Sequence, residues 1–114
     1  MAVTEFFAGV AVADFGVALA WYERLFGKPP DFFPHESEAV WRITEHAWVY
    51  VVADAERAGK ALITILVEDL DDKAAELAAR GVPVGPIDVM PGAARKLEIT
   101  DPEGNRITFG QPLA

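Results

Sequence analysis

The sequence predicts an α+β fold made of two tandem βαβββ units within one domain of 114 residues. The first observation is a repeat, because an apolar strand leads into an aspartate and then a helix twice, at Asp14 and Asp69. The glycines expected to end the two helices, Gly27 and Gly81, repeat at nearly the same interval of about 55 residues. Each helix is followed by hairpin-forming strands without a further helix, which disfavours the ferredoxin-like fold that alternation alone would allow.

The first unit opens with a strand and a helix. Residues 6–12 form an apolar, partly β-branched run that indicates a buried strand. Apolar side chains then recur at helical spacing, which predicts a helix over about 15–26. Asp14 suits the N-cap of this helix, because its carboxylate can accept from the free N–H groups of the first turn. Gly27 and the prolines at 29–30 end it.

Three segments complete the first unit. Residues 31–33 fit either a strand or a loop, and that alternative stays open. Aromatic and β-branched residues predict strands at 40–43 and 48–53, joined by a turn. The charged, glycine-containing stretch 54–60 is expected to connect the halves, so unit one covers about 1–55 and unit two about 60–112.

The second unit repeats the pattern. Residues 61–67 predict a strand, and the next helix is expected to end at Gly81. The acidic residues at the start of this helix suit the positive end of its dipole. A strand at 97–100, a Pro- and Gly-containing turn at 101–105 and a returning strand at 106–109 form the closing hairpin.

Composition excludes several function classes. The net charge is −8, from 10 Lys and Arg against 18 Asp and Glu, so nucleic acid is not an expected partner. The acidity either attracts a cationic small molecule or only aids solubility. The chain has no cysteine, which excludes disulfides and thiolate chemistry. Because the sequence has no apolar run of membrane-spanning length and no signal-like N-terminus, a cytoplasmic location without membrane contact is expected.

Two motifs lie near the ends of the chain. Val12-Ala13-Asp14, followed by Trp21-Tyr22 and Leu25-Phe26-Gly27, opens the first unit, and Asp101-Pro102-Glu103-Gly104-Asn105 forms the turn of the closing hairpin. They resemble the opening motif and the closing hairpin of the vicinal oxygen chelate superfamily, the glyoxalase, bleomycin-resistance and dioxygenase type. The resemblance implies two curved sheets that form a cavity, and family members often complete it by dimerisation. A homodimer is therefore expected.

Metal-dependent members of that superfamily carry His, Glu or Gln ligands at set strand positions. The resemblance assigns these positions here to Phe7, Leu62 and Thr108, with Tyr50 or Trp48 as the fourth. None of the first three is a usual ligand of a divalent first-row cation. The sequence therefore predicts no metal and no cofactor.

Catalytic residues are not identified. His35 and His46 lie in predicted loop and turn regions and lack ligand spacing, so both are expected at the surface. Ser37 has no histidine–acid companion evident in the sequence, so no serine nucleophile is expected. Lys96 and Glu98 are the only acid–base candidates in a predicted strand, although charged strand residues usually face water.

Alternation within the strands predicts a ligand-binding wall. The face that carries Phe7, Leu62 and Thr108 would be lined by apolar and aromatic side chains with few polar groups, as is typical of small-molecule sites. Plain core packing or a dimer interface would use the same residue types, and that reading stays open. The expected ligand contacts are Phe7, Trp48, Tyr50, Leu62, Thr64 and Thr108, with Trp41 nearby.

Three functions remain. The first is a metal-free protein that binds a small, aromatic and cationic compound, as in antibiotic or toxin sequestration. The alternative is an enzyme of the superfamily, of lyase, isomerase or dioxygenase type, with an atypical or absent metal site. The third is a non-catalytic subunit of a larger complex.

Overall fold

A computed structural model describes residues 2–113 as two α+β units, each with one helix and one four-stranded sheet. The first unit contains β1 (Phe6–Val12), α1 (Phe15–Phe26), β2 (Phe32–His35), β3 (Glu38–Thr44) and β4 (Ala47–Ala53). The second contains β5 (Leu62–Leu66), α2 (Leu70–Ala79), β6 (Asp88–Met90), β7 (Ala94–Thr100) and β8 (Arg106–Pro112).

Both sheets have the same topology. Their strand orders are β1-β4-β3-β2 and β5-β8-β7-β6. The first strand of each unit pairs in parallel with the last, and the other pairs are antiparallel. The predicted tandem βαβββ fold is thus confirmed. The open question at 31–33 resolves as a strand, and the short strand β6 escaped prediction because Pro and Gly surround it. Within residues 2–113, no helix is long and apolar enough to cross a membrane.

Aspartate N-caps position both helices, and the cap of α1 was predicted. The Asp14 carboxylate accepts from the backbone N–H of Val17, and Gly27 ends α1 in the left-handed region at φ 74°. Asp69 caps α2 in the same way, accepting from the N–H of Asp72. These caps fix the point at which each helix leaves its first strand.

One face of each sheet packs against the helices and forms a continuous core. In the first unit the side chains of Val10 and Val51 are fully buried on this face, and Tyr22 and Leu25 cover them from α1. In the second unit the same role falls to Leu97 and to residues of β8 and α2. Each sheet therefore keeps one face that no helix of its own unit covers.

A buried polar network joins the two halves. The Asp101 carboxylate accepts from the Tyr22 hydroxyl at 2.8 Å and from the Asn105 side-chain amide at 2.8 Å. The same amide donates to the carbonyl of Ala11 at 3.0 Å, and its oxygen accepts from the N–H of Ala61 at 2.8 Å. Burial, followed by the nearby Asp101 charge, raises the pKa of Tyr22 far above its usual value, so the hydroxyl stays a donor.

Two further contacts cross between the units. The Glu103 carboxylate accepts from the backbone N–H groups of Ala13 at 2.6 Å and Asp14 at 2.9 Å. The Arg80 guanidinium donates to the carbonyls of Arg24 at 2.6 Å and Leu25 at 3.0 Å, at the end of α1. Charged groups of the second unit thus satisfy backbone groups at both ends of α1.

Tyr22→Phe should lower the free energy of unfolding by about 1–3 kcal/mol, because the buried Asp101 carboxylate loses a donor. The denaturant midpoint measures this. Tyr50→Phe is the matched control: it removes a hydroxyl outside the network and should change stability by less than about 0.5 kcal/mol. Equal midpoints for Tyr22→Phe and the parent would show that the network contributes nothing.

Candidate functional site

Strand register places four aromatic side chains on the face of the first sheet that points away from α1. Phe7 pairs with Trp48, and Tyr50 pairs with Gly9, so these side chains share one face. Phe32 reaches the same face from β2 and contacts Trp48. We call Phe7, Phe32, Trp48 and Tyr50 the aromatic platform.

The platform rings are packed on one another yet remain accessible. The rings of Phe7 and Trp48 lie 5.7 Å apart and are nearly parallel, and Phe32 meets Trp48 edge-on at 6.0 Å. Phe7 is 48% exposed and Phe32 is 45% exposed. A Cβ atom on Gly9 would lie 2.5 Å from the Tyr50 ring, so only glycine there lets Tyr50 lie across β1.

Polar groups fix the Trp48 indole. Its Nε1–H donates to the Glu5 carboxylate at 2.8 Å. This bond, with smaller effects from His46, holds the pKa of Glu5 below its usual value. On the β3 side the Arg42 guanidinium lies 5.5 Å from the Trp48 ring centre and donates to the carbonyl of Glu45 at 2.7 Å. The indole is thus held between an anion at its edge and a cation near its face.

The corresponding face of the second sheet is mainly polar, with exposed Leu62 and Leu66 on β5. Thr64 pairs with Thr108, and Thr108 pairs with Glu98, so the three side chains lie in a row. Lys96 lies on the same face of β7, and Leu62 is 79% exposed at the start of β5. Both acid–base candidates therefore face away from α2.

The structure brings only some of the predicted contact residues together. Trp48 and Thr64 line one groove of about 320 Å³ between the start of the first sheet and β5. Phe7 and Tyr50 lie beside Trp48 on the platform, whereas Leu62 and Thr108 lie on the second sheet. The predicted wall is thus divided between two surfaces of one chain.

Trp41 requires a correction. It is completely buried, packs against Tyr22 at 6.2 Å and Phe26 at 5.4 Å, and donates to the carbonyl of Lys28 at 3.0 Å. It pairs with Val49 on the helix-covered face, so it belongs to the core. Sequence reasoning instead missed Phe32, because its segment was left undecided, and Arg42, which alternation places opposite Trp41. Glu5 precedes the strand and gave no signal.

The residues at the positions of the family's metal ligands do not fit a metal. Phe7 and Leu62 have no donor atom, and Thr108 and Tyr50 offer only hydroxyl groups. Within residues 2–113, no group of three or more His, Cys, Asp or Glu is arranged to hold an ion. The two histidines are exposed. His46 pairs with the carboxylates of Glu5 and Glu45. His35 pairs with Glu38 at 3.0 Å, and its Nδ1 lies 3.2 Å from the Ser37 hydroxyl, so the expectation that Ser37 has no histidine–acid companion is wrong, although all three residues are close in sequence on an exposed turn.

The family follows from the fold and its match. The model of the Glyoxalase/Bleomycin resistance protein/Dioxygenase superfamily matches residues 6–109, so the chain belongs to this superfamily. A solved glyoxalase/bleomycin resistance protein from Catenulispora acidiphila is 45% identical, with 96% of this chain and 98% of that chain covered, at a TM-score of 0.90. No curated protein sequence matches the chain significantly.

More distant solved structures share the fold alone. TnmS3, an antibiotic-binding protein from a Streptomyces species, is 23% identical, with 99% of both chains covered and a TM-score of 0.77. A lactoylglutathione lyase from Agrobacterium tumefaciens is 18% identical, with 93% of this chain and 91% of that chain covered and a TM-score of 0.73. The fold therefore accommodates both a binding protein and an enzyme, and the site must distinguish them.

Purified protein should contain far less than one zinc, nickel, manganese or iron per chain, because Phe7, Leu62 and Thr108 supply no usual ligand. Elemental analysis tests this directly. Treatment with a chelator should leave the melting temperature unchanged, since no stabilising ion is removed. Near-stoichiometric metal whose removal lowers the melting temperature would contradict the assignment.

Proposed function

We propose that this protein binds and sequesters a planar aromatic small molecule, such as an antibiotic or toxin, without a metal. The observation that supports this most is the aromatic platform, in which the Phe7 and Phe32 rings are about half exposed and the Trp48 and Tyr50 rings are partly buried. Clustered exposed aromatic side chains are unusual on a surface that has no binding partner. Their flat faces favour stacking with a planar ligand.

The electrostatics of the chain favour a ligand with a positive charge. The net charge of −8 attracts a cation over long range. Near the platform, Glu5 supplies a carboxylate at the edge of Trp48. Arg42 limits how close a second cation can come on the β3 side, so the positive group is expected toward Glu5.

We also propose that two copies associate to enclose the site. The platform and the polar face of the second sheet both lack a cover of their own. Leu62 and Leu66 add exposed apolar side chains at 79% and 65% exposure. A symmetric pair would bury such surface on both copies at once. The ligand would then lie between subunits. A cytoplasmic location, without nucleic acid or membrane as partner, belongs to this proposal and agrees with the acidic, cysteine-free composition.

A second candidate function is an enzyme of the superfamily that works without the usual metal. Lys96 and Glu98 favour it, because both lie on the uncovered face of β7 and Glu98 adjoins Thr108. A general acid and base on one face could move a proton on a bound substrate. Turnover of a bound compound that Glu98→Gln abolishes, without loss of binding, would favour the enzyme over the binding protein.

Trp48→Ala should weaken binding of a ligand, found in a thermal-shift screen of planar aromatic antibiotics, by about tenfold, because ring stacking is lost. Val51→Ala should instead lower the free energy of unfolding by about 2 kcal/mol and leave affinity unchanged, because Val51 is fully buried core. Affinity and denaturant midpoint are measured for both variants. If Trp48→Ala unfolds the protein while Val51→Ala changes nothing, the two faces have been assigned the wrong way round.

Light scattering at micromolar concentration should give about twice the chain mass of 12.4 kDa. Leu62→Lys should shift the protein toward the monomer, because it places charges in the proposed interface. Val17→Lys is the control, since Val17 is also an exposed apolar residue, at 52%, but lies on α1. A monomeric parent in moderate salt would contradict the dimer.

A further inference from the structure

We propose a second ligand site, for an amphipathic organic anion, in the crevice between the two halves of the chain. This crevice has a volume of about 370 Å³, which suits a small molecule. It lies where the end of α1, the end of β3, the end of β5 and the start of α2 meet. It is distinct from the aromatic platform, since Phe7, Phe32, Trp48 and Tyr50 are not part of its lining.

The inner wall of the crevice is apolar. Leu25 and Phe26 contribute from α1, Ile65 from β5 and Phe109 from β8. Leu25 and Phe109 are buried core residues, so this wall is fixed by the packing of both halves. An alkyl or aryl group placed there would be removed from water on several sides.

The charged side chains that line the crevice are all cationic: Lys28, Arg42 and Lys73. They come from three separate elements, namely the segment after α1, strand β3 and helix α2. None of the described residues that line the crevice is Asp or Glu. This differs from the whole chain, in which 18 acidic residues outnumber 10 basic ones. The lining cations therefore offer donors to an anion at the mouth, although the net charge of the whole protein repels it.

These cations can donate to a ligand. The Arg42 guanidinium donates to the uncharged carbonyls of Thr44 at 3.3 Å and Glu45 at 2.7 Å, and Asp31 and Glu5 interact with its charge from a greater distance. Lys28 pairs with Asp31 and Lys73 with Glu76, each at 3.0 Å, in partly exposed ion pairs that contribute little energy. Each ammonium group has three donors, so one such pair leaves donors for a carboxylate.

Lys73 connects the charged mouth to the apolar wall. Its ammonium lies 5.6 Å from the centre of the Phe109 ring. A ligand with a carboxylate at one end and an apolar body would contact the ammonium and the Phe109 wall together. A neutral or cationic compound of the same shape would gain only the apolar contact.

Octanoate is the probe, with octylammonium and 1-octanol as matched controls that change only the head group. Calorimetry of the full chain should detect one octanoate per chain, bound at least about tenfold more tightly than either control, as a charge-assisted contact predicts. Amide shifts in an NMR titration should centre on Ile65 and Phe109. Equal binding of octylammonium, or shifts centred on Trp48, would overturn the site.

Lys28→Met and Lys73→Met remove charge but keep an apolar stem. Each should weaken octanoate binding by about three- to tenfold, and the double variant more. Lys60→Met removes the same charge outside the crevice and should leave octanoate affinity unchanged. Denaturant midpoints confirm that each variant is folded. Undiminished octanoate affinity in the folded double variant would overturn the proposal, whatever the platform binds.

Discussion

The arrangement of the two halves depends on the hydrogen bonds that the buried Asp101 carboxylate accepts. Asp101 lies in the turn between β7 and β8 of the second unit, yet one of its donors, the Tyr22 hydroxyl, belongs to α1 of the first. Asn105 extends the contact to the backbone of Ala11 and Ala61, at the adjoining strands. A buried charge is tolerated only when its hydrogen bonds are complete, so the halves have one relative position at which this network is satisfied. The crevice and the groove between the units exist because that position is fixed.

The same packing decides which surfaces remain for ligands. The helices and the Asp101 network occupy one side of each sheet, and within residues 2–113 no helix or strand covers the opposite sides. On the first sheet that side is aromatic and on the second it is polar, with Glu98 and Lys96 beside the threonines. A ligand held against both would need a flat apolar face and hydrogen-bonding groups, which is the chemistry of many aromatic natural products.

Local signals in the sequence predicted most of the fold and part of the site. Asp14 and Gly27 act through their own backbone neighbours, so their roles as caps were predictable without tertiary information. Asp69 caps α2 in the same local way, although only its place between strand and helix was predicted. Alternation placed Trp48 and Tyr50 on one face. It failed for Trp41, because the residue opposite Trp41 depends on the register of the hairpin. The β3–β4 register shifts between Arg42 and Thr44, so Trp41 pairs with the core residue Val49. The cationic crevice was not predictable, since Lys28, Arg42 and Lys73 are distant in sequence and meet only through the packing of both units.

Phe7 belongs both to the positions at which metal-dependent relatives are expected to have ligands and to the proposed binding surface. It occupies a strand position at which metal-dependent relatives are expected to have a ligand, and its ring stacks at 5.7 Å on Trp48. A histidine there would supply a ligand nitrogen but would forfeit much of the apolar stacking area. Leu62 and Thr108 would also have to change before an ion could be held, because one ligand does not bind a divalent cation firmly. Substituting these positions one at a time would therefore disturb the platform at Phe7 before a metal ion could be held. In this chain, ring stacking and metal ligation are alternative uses of position 7.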